Sequence, residues 1–314
     1  MSLKGAIDKS RDIKEKSLKA YMISLKKIHE RMNTDLDFDS IKWLKGKSNI
    51  KKVMDVLEQL KLPTRKNYMA AILVALSIDK EKNKDDLEVF RNHLDSIAAE
   101  YYKGVKSQVK SEKLEKNWVK MAELSKILGR YKRDIKEKDL NKKEKWSNKD
   151  MELYQMWLTG VLYTQYPPLR NDYAKMRVVT FKEFETKDKD DNYLVIVSRN
   201  KKYFSLGAYK TKDKYGVKKI DIDSKLNTII NKWLSHNDTG WFLINKQHTG
   251  LSDNSLTKLL NKIFSPTGKK IGSTILRHVY LSEKYDPELQ AEMEKDANAM
   301  MHTVATQQGV YVKK

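Results

Sequence analysis

Arg277 and His278 stand side by side in STILRHVYLSEKY (residues 273–285), between Leu276 and Val279, where a packed helix carries apolar residues. A guanidinium held half-buried at such a place must find an anion, because an unpaired buried charge is costly. Its planar fork matches the paired oxygens of a phosphate better than the point charge of a lysine does. Toward the C-terminus, MMHTVATQQGVY sets His302 nine residues before Tyr311. Arg170 follows two prolines in LYTQYPPLRNDYAKMRV, with Asp172 two residues on, and Lys210 and Lys212 fall in AYKTKDKYGVKKIDI. Taken singly, most of these have ordinary readings. Tyr311 reads as a frayed terminal aromatic, Arg170 with Asp172 as a local ion pair, Lys210 as a solvated edge lysine and His278 as a hydrogen-bonded structural residue. Arg277 is the hardest to place without an anion.

The composition says which anion to expect. The chain has 314 residues, with 63 Lys+Arg against 42 Asp+Glu and a net charge of +21. An excess of that size attracts polyanions, and nucleic-acid backbones are the commonest large ones. At 39% hydrophobic and 33% charged residues the balance is that of a globular protein rather than a disordered one. Cysteine is absent, which removes disulfides, thiolate zinc sites and a cysteine nucleophile and fits a reducing intracellular compartment. The six histidines show neither HxxxH nor HExxH spacing, so no metal site and no cofactor are expected. No apolar run approaches the ~18 residues of a membrane span, and MSLKGAIDKSRDIKEKS has no apolar signal region.

The elements that must position these residues are mainly helical. Apolar residues recur at three- and four-residue steps in 13–32, 50–60, 65–78 and 85–105, which predicts a small bundle of four helices. A polar stretch at 106–116 reads as a linker. Helices follow at 119–131 and 148–164, and again at 226–234, 254–264, 273–285 and 287–301. Strands are expected at 192–197, 201–211 and 217–223, as a three-stranded antiparallel sheet. The fold class is thus mainly α with a small three-stranded antiparallel sheet. Residues 1–14 read as a basic N-terminal arm, 15–110 as a helical DNA-binding domain and 111–314 as a second domain holding the residues above.

Taken in order, these segments resemble the tyrosine recombinase (phage integrase) family. TILRHVYLSEK is similar to its second-arginine box, MMHTVATQQGVY to its tyrosine box and LYTQYPPLRNDYAKMRV to its first-arginine box. The lysine that the family keeps on a β-hairpin is matched by Lys210, with Lys212 as second choice. The resemblance spans residues 111–314 by motif, and residues 15–110 resemble the family's core-binding domain in size and helix count. It implies a two-domain clamp on double-stranded DNA and a phosphodiester exchange without metal or ATP. Tyr311 is implied as the nucleophile that forms a 3′-phosphotyrosine link. Arg170 and Arg277 would hold the phosphoryl oxygens, Lys210 would protonate the leaving 5′ oxygen and His302 would donate to the phosphoryl group. Thr274 stands where the family has a histidine, and His278 and Asp172 are auxiliary candidates. Asp172 comes one residue earlier than the usual acid, and ETKDKDDN lengthens the gap between Arg170 and Lys210.

The implied function is site-specific recombination or integration, on double-stranded DNA, with a homo-oligomer (dimer or tetramer) assembling there. The alternatives are a type IB topoisomerase and a catalytically inactive DNA-binding relative. No membrane partner is expected. The expected location is intracellular, at DNA: the cytoplasm of a prokaryote, or the nucleus or viral factory of a eukaryotic host. No helix follows Tyr311 before Lys314, so the docking helix that many members carry there is not expected within this sequence.

Overall fold

Residues 2–312 are described by a computed structural model, and they divide into two units between Val109 and Lys110. The outer ends of the expected domains, residues 1, 313 and 314, lie outside the described residues.

The first unit is built from α1 (Leu3–Ser10), α2 (Glu15–Met32), α3 (Lys47–Glu58), α4 (Leu62–Leu76) and α5 (Lys84–Lys106). Helix α4 is apolar on nearly every side and buries Met69, Ala71, Ile72, Val74, Ala75 and Leu76; Pro63 sits in its first turn, where its missing N–H costs nothing. The helices around α4 bury one stripe each, such as Leu18, Leu25, Ile28 and Met32 of α2. Trp43 and Phe90 complete the core. The expected basic arm is instead largely helix α1. Leu3 and Ile7, four residues apart, are buried against the bundle, and the Leu3 N–H donates to Asp39 at 2.7 Å. The lysines around that apolar pair hid it in the sequence.

The second unit opens with α6 (Glu112–Lys116), a five-residue helix inside the stretch expected to be linker, capped by Ser111. Next come α7 (Met121–Glu137) and α8 (Asn148–Thr164), the latter buried along most of its length. Four strands follow in place of the three expected: β1 (Arg177–Thr180), β2 (Asn192–Ser198), β3 (Lys201–Leu206) and β4 (Lys218–Asp221). Their order is β1-β2-β3-β4, with β1 parallel to β2 and the other pairs antiparallel, so the sheet is mixed. Helix α9 (Phe181–Glu185) links β1 to β2, and its Phe184 covers a small second core of Val179, Tyr193, Val195 and Tyr203 on one sheet face. The other face, through Leu194, Phe204 and Leu206, joins the main core. Strand β3 stops at Leu206, short of Lys210, and a single helical turn, α10 (Lys212–Tyr215), precedes β4. The chain closes with α11 (Ser224–Leu234), α12 (Asp253–Ile263), α13 (Ser273–Lys284), α14 (Pro287–Ala299) and two short helical turns, Val304–Thr306 and Gln307–Tyr311. Among the described residues no helix is long and apolar enough to cross a membrane.

Candidate active site

Helix α8 ends at Thr164, and Pro167 and Pro168 keep the chain extended up to Arg170. The turn that follows is pinned by its neighbours. The Tyr163 hydroxyl donates to the Arg170 carbonyl, and Tyr173 packs edge-on against Tyr163 and Phe204, at centroid distances of 5.6 and 5.3 Å. The Arg170 N–H donates to the Asp172 carboxylate at 3.1 Å, which leaves the exposed guanidinium of Arg170 free to face outward.

Helix α13 supplies the second arginine. Leu276 and Val279 are buried at 0% and 2% exposure, while Arg277 between them is half-buried and Thr274 and His278 are exposed. His278 is expected to be a hydrogen-bonded structural residue, but it is exposed and makes no hydrogen bond among the described residues: on a helix, two residues past the buried Leu276, its side chain clears the core. Asp172 feels both arginines. Burial raises its carboxyl pKa, while the Arg170 N–H and the charges of Arg170 and Arg277 act in the opposite direction. The charges of two arginines far apart in the chain thus both reach one half-buried carboxylate, although among the described residues no ion pair joins either guanidinium to it.

Asn171 holds the two arginine-bearing segments together, and nothing in the sequence singled it out. Its amide donates to the Asp253 carbonyl at 3.1 Å and the Thr257 hydroxyl at 3.2 Å on α12, and its oxygen accepts from Ser273 at 2.9 Å, the first residue of α13. Gly272, before α13, gives no side-chain cap, so the first N–H groups of α13 stay open beside Thr274.

Lys210 is exposed in the connection between β3 and α10, off the strand on which it was expected, and makes no hydrogen bond or ion pair with a described residue. It nevertheless leaves the sheet at the arginine end. Asn192, at the start of β2, donates to the Asp172 carbonyl at 2.9 Å and accepts from the Ala208 N–H at 2.8 Å. Lys212 is taken by an ion pair with Asp190. The tight β2–β3 turn, with Lys201 and Lys202, lies at the opposite end of the ladder, about 20 Å away at ~3.3 Å per residue. Lys202 is buried there, bonded to Asn227 at 2.9 Å and Asn231 at 2.5 Å, and its pKa is lowered by desolvation and then by the charge of Arg199.

His302 and Tyr311 form a pair of their own. Their rings stack at 5.1 Å and 22°, across the turns that Thr303 caps. The Tyr311 side is open to solvent, at 62% exposure. His302 Nδ1 lies 3.2 Å from the Thr303 carbonyl, which can only accept, so the hydrogen of the neutral ring is on Nδ1. Its Nε2 is buried and has no hydrogen-bond partner among the described residues. Among the described residues no hydrogen bond or ring contact joins this pair to Arg170, Arg277 or Lys210.

The arrangement offers two guanidinium groups beside open helix N–H groups, a free ammonium at the same sheet end, and a phenol with an adjacent imidazole. Those parts can bind an oxyanion, give a proton to a leaving oxygen and take one from a hydroxyl. No protein-family model matches the chain, and no curated protein does. Among solved structures, the crystal structure of the XerH site-specific recombinase bound to difH substrate, in a pre-cleavage complex, is similar to it. The TM-score is 0.44 at 16% sequence identity, covering 99% of this chain and 84% of that one.

Proposed function

We propose that this protein is a site-specific DNA recombinase that cleaves and rejoins strands through a 3′-phosphotyrosine intermediate. The observation that carries the reading is the docking of the Arg170 turn on the start of the Arg277 helix, where the Ser273 hydroxyl donates to Asn171, at the sheet end where Lys210 emerges. In this reading a DNA phosphate takes the place outside Asp172 and is held by both guanidinium groups. The Tyr311 oxygen bonds to phosphorus and the bond from phosphorus to the 5′ oxygen breaks. The phenolic proton passes to His302 Nε2, which then donates to a phosphoryl oxygen. Lys210 gives its proton to the departing 5′ oxygen. Because the bond energy is kept in the phosphotyrosine, rejoining is the reverse of the same steps.

That no hydrogen bond or ring contact among the described residues joins the His302–Tyr311 pair to the arginines favours a second reading, a DNA-binding relative without catalysis. One experiment separates the two. Purified protein is mixed, without metal or ATP, with duplex DNA nicked just downstream of candidate sites, so that the short fragment diffuses away after cleavage. The expected result is a protein–DNA adduct on a denaturing gel that is lost in Tyr311→Phe while DNA binding remains. Binding with no adduct on any substrate would leave the inactive relative. If the adduct forms, supercoil relaxation against strand exchange distinguishes a type IB topoisomerase from a recombinase.

A further inference from the structure

The residues that open the second unit are fastened to the loop that leads into α13. Helix α6, capped by Ser111 at its start, ends against Asn117, whose side chain bonds in two directions. Its amide donates to the Lys113 carbonyl at 2.8 Å, and its oxygen accepts from the Lys270 N–H at 2.8 Å. The next residue adds a second tie: the Lys269 ammonium donates to the Trp118 carbonyl. One residue beyond these ties, Val119 and Ile271 are both buried in the main core. Trp118 is held from its other side by Lys110, which lies over the indole at 4.4 Å and pairs with Glu115 at 3.5 Å.

The far end of the same short loop carries the arginine helix. Gly272 gives α13 no side-chain cap, so the first turn takes its place from what holds residues 269–273. On one side that is Asn117 and the Trp118 carbonyl; on the other it is Asn171, next to Arg170, which accepts from Ser273 at 2.9 Å. Arg277 follows about one helical turn after Ser273. We propose that Asn117 and Lys269 are positioning residues for Arg277. They brace the entry of α13 against the first residues of the second unit, and so fix where the guanidinium meets the reacting phosphate. The inference rests on the proposed strand-cleavage reading and adds to it two residues outside the motifs that stand out in the sequence. A small displacement of such a group costs rate, while overall DNA binding, spread over many backbone contacts, changes little.

The test compares two nicked substrates, one with the ordinary phosphodiester at the cleaved bond and one with an uncharged methylphosphonate there, and follows release of the short fragment. The neutral group has less negative charge for a guanidinium to offset, so a defect that acts through Arg277 shrinks on it. Asn117→Ala and Lys269→Met are each expected to slow release about tenfold on the phosphodiester at saturating DNA, with DNA affinity within about threefold. On the methylphosphonate both should stay within about threefold of the unmodified protein. Asn117→Asp keeps an oxygen for the Lys270 N–H, and Lys269→Arg keeps a donor for the Trp118 carbonyl. Each should bring the phosphodiester rate back to within about threefold of the unmodified protein. Arg277→Ala should show the same substrate pattern in stronger form, about 100-fold on the phosphodiester. Equal slowing on both substrates by Asn117→Ala and Lys269→Met, with no rescue by Asn117→Asp and Lys269→Arg, would overturn the positioning role and leave strand cleavage in place. Unchanged rates on the phosphodiester in both variants would overturn it as well. No release from either substrate by the unmodified protein would overturn strand cleavage itself, and the inference with it.

Discussion

At the scale of single residues, the energetics turn on one half-buried carboxylate that feels two arginine charges. Asp172 is held partly out of water and its pKa is raised by that burial, so the folded protein binds its proton more tightly than the unfolded chain does. The sign follows from linkage: this carboxyl favours folding below its unfolded pKa, and that contribution is lost as pH rises through the raised folded value. At neutral pH Asp172→Asn is therefore expected to leave chemical-denaturation stability equal or higher. In the proposed reading the same substitution removes a negative charge felt by Arg170 and Arg277, so DNA affinity at fixed salt should rise. Arg170→Ala and Arg277→Ala act differently. In the proposed reaction each would remove a forked contact to the phosphate, and each should lower the rate of adduct formation by about 100-fold or more. Binding to intact DNA should fall by less than about tenfold, since most backbone contacts remain. Equal losses of rate and binding would place the arginines in general backbone contact instead.

At the scale of elements, α8 is the piece whose two ends matter. Its C-terminus leads into the Arg170 turn, and its N-terminus is fixed by Asp150, buried at 4% exposure. Ser147 and Asp150 form a capping box, and Lys143 reaches the same carboxylate at 2.5 Å. The hydrogen bond from Lys143, ahead of the capping bonds from Ser147, holds the Asp150 pKa down to about 2. A depressed carboxylate stabilises the fold above its unfolded pKa and loses that contribution as pH falls toward 2. Asp150→Asn is expected to cost about 2 kcal/mol at pH 7. Repeating the denaturant titration at pH 2.5 should shrink the difference from the unmodified protein, and a constant difference would mean that the cap works through packing alone.

The same elements show what could be read from the sequence. The long helices were legible because burial on one side forces a three- and four-residue apolar spacing, as in α2 and α5. Strand β2 was legible as a run of apolar residues bounded by turns. Strand β1 was not, since four residues with one buried valine carry no periodicity, and its parallel pairing with β2 is set by α9 and Phe184. Helix α1 was hidden because two apolar residues among lysines make a weak pattern. In the site, arginine, histidine and tyrosine stand out by type and order. Asn171 and Asn192 do not, because an asparagine acquires meaning only from partners such as Thr257, Ser273 or Ala208, distant in the chain and brought near by folding.

At the scale of the whole molecule, two quantities govern behaviour: the net charge of +21 and the division into two units with separate cores. Lysine-rich surfaces bind duplex DNA largely by releasing counterions, so affinity should fall linearly with the logarithm of salt concentration. With six to ten phosphate contacts, about 10³- to 10⁵-fold of affinity is lost between 50 and 200 mM salt. Each unit buries a complete apolar cluster, one around Trp43 and Phe90, the other around α8 and the sheet. Chains cut between Val109 and Lys110 are therefore expected to fold separately, each with its own cooperative thermal transition. Linked units gain from effective concentration, so the intact chain should bind DNA more tightly than either piece, and with a steeper salt slope than either. The measurement is a salt titration of DNA binding for the whole chain and for both pieces. Slopes of the pieces that add up to that of the whole would mean that both units hold the backbone at once. A whole-chain slope equal to that of residues 110–314 alone would confine the DNA contact to the unit that carries Arg170 and Arg277.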